Sequence, residues 1–310
     1  MFVVAGEALM DVFTGATTPT GIALDARIGG SPLNVAFGLA RLGQRVAFLG
    51  GLSDGELGTR LLDALRAEGV ALDAVHRSAA PTTLSLIGVD AKGVPEYAFY
   101  GDGAADRTLP LAALDRVPAD THALHVGSYT MVVGETAATQ RALIERLHGQ
   151  AVISYDPNLR LNVEPDVQAW RDTLEWMLPR TDLLKLSDED LGLLYPGIDP
   201  AAFAADCLGK GAGLVALTRG AHGAFAWHAS GVCEVPPVKV QVVDTVGAGD
   251  TFQAALLTRL AELGALSPAG VRGMAATTLL DALRFAAEAA AITCSRRGAD
   301  LPRRAELGVR

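Results

Sequence analysis

Residues 242–253, Val-Val-Asp-Thr-Val-Gly-Ala-Gly-Asp-Thr-Phe-Gln, constrain this 310-residue chain more than any other stretch. An apolar run ends in Asp244, two glycines flank Ala248, and Phe252, Leu256, Leu260 and Leu263 then share one helical stripe. The pattern predicts strand, tight turn and helix, with Gly264 as the stop. Gly247, Ala248 and Gly249 therefore fall at a helix N-terminus, where unpaired amides and the positive end of the helix dipole collect. With no bulky side chain in the way, that backbone can lie directly against a phosphate. Asp250 puts a carboxylate where the phosphate would sit, which makes sense if it receives a proton from the group attacking that phosphate; the plainer alternative is a helix-capping aspartate.

The same pattern occurs near the other end of the chain. Gly29-Gly30-Ser31-Pro32-Leu33-Asn34 opens an apolar stripe that stops at Gly43, with proline near the first turn of the expected helix. Asn34 is placed to hydrogen-bond a hydroxyl-rich ligand lying on the bare backbone of Gly29 and Gly30. Residues 2–6 read as a buried strand, and Asp11 lies beyond its C-terminal end, the end at which open α/β sheets take ligands. A turn-capping aspartate is the alternative there.

Asp244-Thr245-Val246-Gly247-Ala248-Gly249-Asp250 resembles the C-terminal signature of the ribokinase-like (PfkB) sugar kinases, and residues 29–43 resemble their N-terminal signature. The resemblance implies a three-layer α/β fold with a central, mostly parallel sheet flanked by helices, plus a small β-sheet lid. It implies Asp250 as catalytic base, the amides of Gly247, Ala248 and Gly249 as an anion hole that also meets ATP, and Gly29, Gly30 and Asn34 as sugar contacts.

The rest of the chain alternates strand and helix as such a sheet requires: strands at 45–51, 123–127, 151–155, 182–186 and 213–217, helices at 55–68, 136–147 and 279–293. Residues 12–28 and 82–106 break the alternation. The second of these reads as two strands joined by a turn at Asp90-Ala91-Lys92-Gly93. Together they would form the lid on a single kinase domain spanning 1–310, whose main body is 1–11, 29–81 and 107–310. A lid excludes the water that competes with a sugar hydroxyl for a phosphoryl group. One face of so thin a sheet stays apolar, which predicts a homodimer through the lid.

Three further segments end expected strands. Asp156-Pro157-Asn158-Leu159-Arg160 collects a carboxylate, an amide and a guanidinium, suited to an anion or a polyol, and resembles an element of bacterial fructokinases and 2-keto-3-deoxygluconate kinases; Arg160 becomes a sugar-binding candidate. Ser187-Asp188-Glu189-Asp190 is an acidic helix start which, beside a nucleotide, would hold hydrated Mg2+. The family pattern there is Asn-x-x-Glu; Asp190 is one methylene shorter, with Glu189 as the fallback ligand. Thr218-Arg219-Gly220-Ala221-His222-Gly223 resembles the family's nucleotide-phosphate loop, which assigns Thr218, Arg219, Gly220 and Gly223 to ATP. The resemblance also implies a monovalent cation, K+, on backbone carbonyls near Asp244, Val246, Thr293 and Gly298.

Composition removes other classes. A net charge of -9 and a pI near 5.2 argue against a nucleic-acid surface. Cys207, Cys233 and Cys294 are odd in number and lack metal spacing, as in a reducing compartment. Residues 2–7 meet a carboxylate at once, unlike a secretory leader, and the apolar run 274–294 is broken by Asp281, Arg284 and Glu288, so no membrane span and a cytoplasmic location are expected. No Walker P-loop occurs, and the first strand lacks a dinucleotide-binding glycine turn. The expected activity is ATP-dependent phosphorylation of a ketose, D-fructose first and 2-keto-3-deoxygluconate second. The rival of another class is a non-catalytic sugar- or nucleotide-binding protein on the same fold, against which Asp250 speaks, since binding alone gains nothing from a carboxylate beside phosphate.

Overall fold

The computed structural model describes residues 1–89 and 95–308. The expected turn at 90–93 lies outside them. Strands β1 (Phe2–Ala5), β2 (Leu9–Thr18) and β3 (Gly21–Gly29) precede helix α1 (Ser31–Arg41), and β4 (Val46–Leu49) and β5 (Gly51–Ser53) precede α2 (Glu56–Ala67). Next come β6 (His76–Ser78), β7 (Leu84–Val89), β8 (Pro95–Tyr100) and β9 (Ala123–Gly127), then α3 (Gly134–Leu147) and β10 (Val152–Asp156). Helix α4 (Val167–Met177) leads to β11 (Leu183–Ser187), α5 (Asp188–Leu194), α6 (Pro200–Gly209) and β12 (Leu214–Thr218). The hairpin β13 (Ala224–His228) and β14 (Gly231–Val235) precedes α7 (Ala248–Glu262), α8 (Pro268–Gly273) and α9 (Ala276–Cys294).

Eight strands form the main sheet in the order β14-β13-β12-β11-β10-β9-β1-β4, parallel from β12 to β4 and antiparallel at the β13–β14 edge. Strand alternation sorts its side chains into two cores. Val4, Phe48, Val152 and Ala216 meet α1, α7 and α9 on one face. Val3, Leu49, Ile153 and Val215 meet α3, α4 and α6 on the other, around Tyr155 and Trp170. Burial on both faces is why these strands are almost wholly apolar. This is the expected three-layer arrangement.

Helix α7 is the central brace of its layer, packed on both α1 and α9. Its stripe is wider than the one expected: every residue from Asp250 to Thr258 is buried, whereas Leu263 is half exposed beyond the helix end. Leu256, at its middle, is fully buried, and truncation to Ala would cost ~2–5 kcal/mol.

One expectation fails in front of α7. Val242 and Val243 do not form a strand; residues 236–247 run irregularly and exposed. The sheet edge they would have joined is taken by β13 and β14, which the sequence reading did not resolve, and the amides of Val243 and Asp244 bond instead to Cys294 O at the end of α9.

The second sheet has the order β3-β2-β7-β8, with β2 and β7 parallel. It starts at Leu9 and includes Gly29, so Asp11 and Gly29 sit on its strands and not on the main body. Ile22, Leu24 and Tyr100 are large apolar residues that it exposes. Among the described residues, no helix is long and apolar enough to cross a membrane.

Candidate active site

The first turns of α1 and α7 meet. Gly247 caps α7 in a left-handed conformation, φ 76°, and a Cβ there would fall 2.6 Å from the Cβ of Ala299, so only glycine brings the turn this close. Asp250, third in the helix and 7% exposed, has both oxygens held: Ser31 Oγ donates to Oδ1 over 2.6 Å and Asn34 Nδ2 to Oδ2 over 2.8 Å. The carboxylate is held by the opposite helix, with lone pairs left to accept further hydrogen bonds. Asn34, expected on a sugar hydroxyl, spends one amide hydrogen on this task; its other amide hydrogen makes no hydrogen bond among the described residues. Ser31 was missed by sequence reading.

Asp11 approaches from β2. Its carboxylate packs so tightly on Gly29 that a Cβ there would fall 2.1 Å from Oδ2. Burial pushes the Asp11 carboxyl up; the Ser85 hydroxyl and the Arg160 charge pull it down, and the Asp250 charge pushes it up again. Arg160 is anchored by Nη1 to Leu159 O at 2.8 Å, beyond Asn158 at φ 40°. Gly30 lies beneath, against the backbone of Glu7 and Ala8.

Glu7, also missed, is 1% exposed and accepts from Thr130 Oγ1 at 3.1 Å. Burial raises its carboxyl to about 7, with the Asp106 charge adding to the rise and Ser128 and Arg160 opposing it. Asp106 itself, 2% exposed, accepts from the hydroxyls of Tyr129 and of Thr83, next to β7, tying the root of the second sheet to the end of β9.

A buried ion pair underlies the glycine turn. Lys185 Nζ donates to Asp156 Oδ2 over 2.7 Å, and a Cβ on Gly249 would lie 3.0 Å from that ammonium. Strand alternation sets Lys185 on the α7 face between Leu184 and Leu186, both in the opposite core. The signal was present in Leu183-Leu184-Lys185-Leu186-Ser187, because lysine inside an apolar strand is almost never fully buried without a partner.

The acidic helix start divides. Ser187 caps α5 by accepting from Asp190 N at 3.0 Å, and Asp190 Oδ1 accepts from Leu159 N at 3.1 Å, which ties this helix to the loop of Arg160. Asp190 is buried and Glu189 exposed. Among the described residues no three His, Cys, Asp or Glu side chains converge on one metal position.

At the end of β12, Thr218 is half-buried, with Gly220 and Gly223 in the turn beyond. Arg219, expected on phosphate, is otherwise engaged: Nη2 bonds Glu234 at 2.9 Å and His222 O at 2.8 Å, and its guanidinium stacks 3.9 Å from the Phe225 ring centroid. Of the four residues expected around a monovalent cation, Asp244, Val246 and Gly298 are linked by hydrogen bonds, while Thr293 is bonded to Thr251. Asp244 accepts from Val246 N and, at 2.8 Å, from Gly298 N, while Thr293 Oγ1 meets Thr251 Oγ1 at 2.8 Å. Burial opposes the Asp244 charge, but those amide bonds prevail and hold its carboxyl below the ordinary range.

Residues 2–305 match the pfkB family carbohydrate kinases. The chain is 36% identical to a fructokinase of Rhizobium leguminosarum bv. trifolii over 84% of its own length and 79% of that protein's, and 33% identical to fructokinase-1 of rice, Oryza sativa subsp. japonica, over 97% and 94%. Among solved structures it is similar to fructokinase with bound ATP from Xylella fastidiosa, at a TM-score of 0.86 and 28% identity, covering 96% and 93% of the two chains. It is also similar to fructokinase from Vibrio cholerae in a form with bound fructose, ADP and calcium, at a TM-score of 0.79 and 25% identity, covering 96% and 94%. With the family match spanning nearly the whole length, and a glycine turn, an aimed carboxylate and a second sheet in the geometry described, the chain belongs to the pfkB family of carbohydrate kinases.

Proposed function

We propose that the chain is an ATP-dependent fructokinase, moving the γ-phosphoryl group of ATP to the 6-hydroxyl of D-fructose. The observation that carries this reading is Asp250, fixed through both oxygens at the start of α7 by Ser31 and Asn34 of α1. The substrate choice is supported by relatives named as fructokinases.

The sugar lies on Gly29 and Gly30, with Asp11, Asn34 and Arg160 orienting its hydroxyls toward Asp250. As the oxygen–phosphorus bond forms and the bond to ADP breaks, the hydroxyl proton passes to Asp250. In a loose transition state that proton leaves late, so a weak base suffices. The amides of Gly247 and Gly249 and the Lys185 ammonium face the charge that spreads over the transferred phosphoryl oxygens, whereas the Ala248 amide, expected to share this role, donates to Thr245 O at 3.2 Å. Thr218 and the backbone of Gly220 and Gly223 hold the nucleotide phosphates, with Arg219 bracing that turn through Glu234. Asp190, with Glu189 within the same helix start, would hold Mg2+, which would supply neutralisation of phosphate charge. Asp244, Val246, Thr293 and Gly298 would lie nearest a K+ ion, which would steady the segment in front of α7.

The second sheet acts as a lid, and exposed Ile22 and Leu24 on it support a homodimer formed through that face. The enzyme works in the cytoplasm. A second reading, 2-keto-3-deoxygluconate kinase, is favoured by Arg160, whose Nη2 and Nε make no hydrogen bond among the described residues and could grip a substrate carboxylate. An ATP-coupled comparison of kcat/KM for fructose, 2-keto-3-deoxygluconate, ribose and adenosine tests both. Fructose at least ~10-fold above the others supports the first reading, and any other order sinks it.

A further inference from the structure

Asp156 is not a contact residue in the mechanism above, yet its surroundings are unusual. It closes β10 at 2% exposure, and its Oδ2 is bonded to Lys185 Nζ, itself 4% exposed. Its Oδ1 is buried without a hydrogen-bond partner, so Lys185 alone balances the carboxylate. Conversely, Nζ makes no other hydrogen bond among the described residues, and it abuts Gly249 of the anion-binding turn.

A buried ammonium pays a large desolvation penalty and becomes neutral unless an anion holds its proton. Three acids face Lys185 from three elements: Asp156 on β10, Asp190 on α5 and Asp250 on α7. Asp190 is engaged by Leu159 N, and Asp250 by Ser31 and Asn34, which leaves Asp156 as the acid bonded to the ammonium. From β9, His125 faces the pair too. Burial and the Lys185 charge depress it to about 3, so it stays neutral and bonds Ser154. Burial opposes the Lys185 charge, the Asp156 carboxylate outweighs it, and the net shift of the lysine is upward.

We propose that Asp156 is a positioning residue for phosphoryl transfer: it keeps the Lys185 ammonium charged and pinned behind Gly249, within reach of a phosphoryl group seated on the first turn of α7. This rests on the kinase reading above, with ATP as donor, but not on which sugar accepts.

The test is a double-mutant cycle with Asp156→Asn, Lys185→Met and both together, reading kcat, KM for each substrate and ATP affinity by calorimetry. Each single variant should lose ~10-fold or more in kcat with the sugar KM changed less than ~3-fold, and Asp156→Asn should change kcat less than ~2-fold once Lys185 is Met. An equal loss from Asp156→Asn in both backgrounds, or no loss in the first, overturns the proposal. If Asp156→Asn does not fold, Lys185→Met decides alone: the proposal requires a fall in kcat and the appearance of a protonated Asp156 carboxyl in the infrared difference spectrum, and lack of either overturns it. A wild-type enzyme inert toward fructose would instead defeat the substrate reading, and the cycle would then be read with the acceptor that does turn over.

Discussion

Ser31 and Asp250 stand 219 residues apart in the chain, and the Ser31 hydroxyl donates to Asp250 Oδ1 over 2.6 Å. The helix start that the sequence suggested for the sugar therefore also aims the carboxylate proposed as the base. Ser31→Ala removes one of the two donors while leaving the glycine turn intact. Since a hydrogen bond to a charged group contributes about 1.5–3 kcal/mol, kcat should fall ~10–100-fold with ATP affinity unchanged, measured by steady-state kinetics.

Asp250→Asn keeps the shape and removes the proton acceptor. We expect kcat to drop ~10²–10⁴-fold while fructose and ATP still bind by calorimetry. An unchanged kcat would take Asp250 out of the chemistry.

Gly249→Ala tests the close approach of Lys185. The new methyl would lie 3.0 Å from Nζ, so the ammonium must move or the turn must shift. The expected result is a kcat at least ~10-fold lower, with a melting temperature within a few degrees of wild type because this glycine has no left-handed backbone to strain. A large loss of melting temperature would show that the turn itself had collapsed.

Glu7 links stability to pH. Its carboxyl is raised from 4.5 to about 7 in the folded protein, first by burial, so between those values the folded state binds more protons than the unfolded one. Its stabilising contribution is complete below the unfolded value and fades as pH rises through the folded one, by at most about 3 kcal/mol. Glu7→Gln, which stays neutral, should gain on wild type between pH 4.5 and pH 8 in urea denaturation; parallel pH curves would refute the assignment.

Asp190, the proposed Mg2+ ligand, also anchors Leu159 N. Asp190→Asn keeps an acceptor for that amide and removes the charge. The Mg2+ concentration for half-maximal rate should rise ~10-fold or more, with stability little changed. An unaltered Mg2+ dependence would assign the metal elsewhere.

Much of this was legible in the residues. The glycine turns, the βα alternation and the strand-end polar clusters marked the main sheet and the two helix starts that carry Asn34 and Asp250, because those signals are local and periodic. Pairings across the sheet were not legible: Lys185 with Asp156 depends on β10 and β11 lying side by side, and Ser31 with Asp250 on two helices meeting end to end. The surroundings of Arg219 were not legible for a related reason. A guanidinium beside a glycine turn suggests phosphate, but the β13–β14 hairpin brings Glu234 and Phe225 alongside it first. Val242 and Val243 looked like a strand by composition, and only the occupied sheet edge shows why they are not.

The four-stranded sheet is not an appendage on a single linker, for the chain enters it at Leu9, leaves at Gly29, re-enters at Leu84 and leaves again at Tyr100. With four moorings the sheet can turn only about its root, and any such turn carries Asp11 along. In the proposed kinase, gripping the acceptor and sheltering it from solvent would thereby be a single mechanical event.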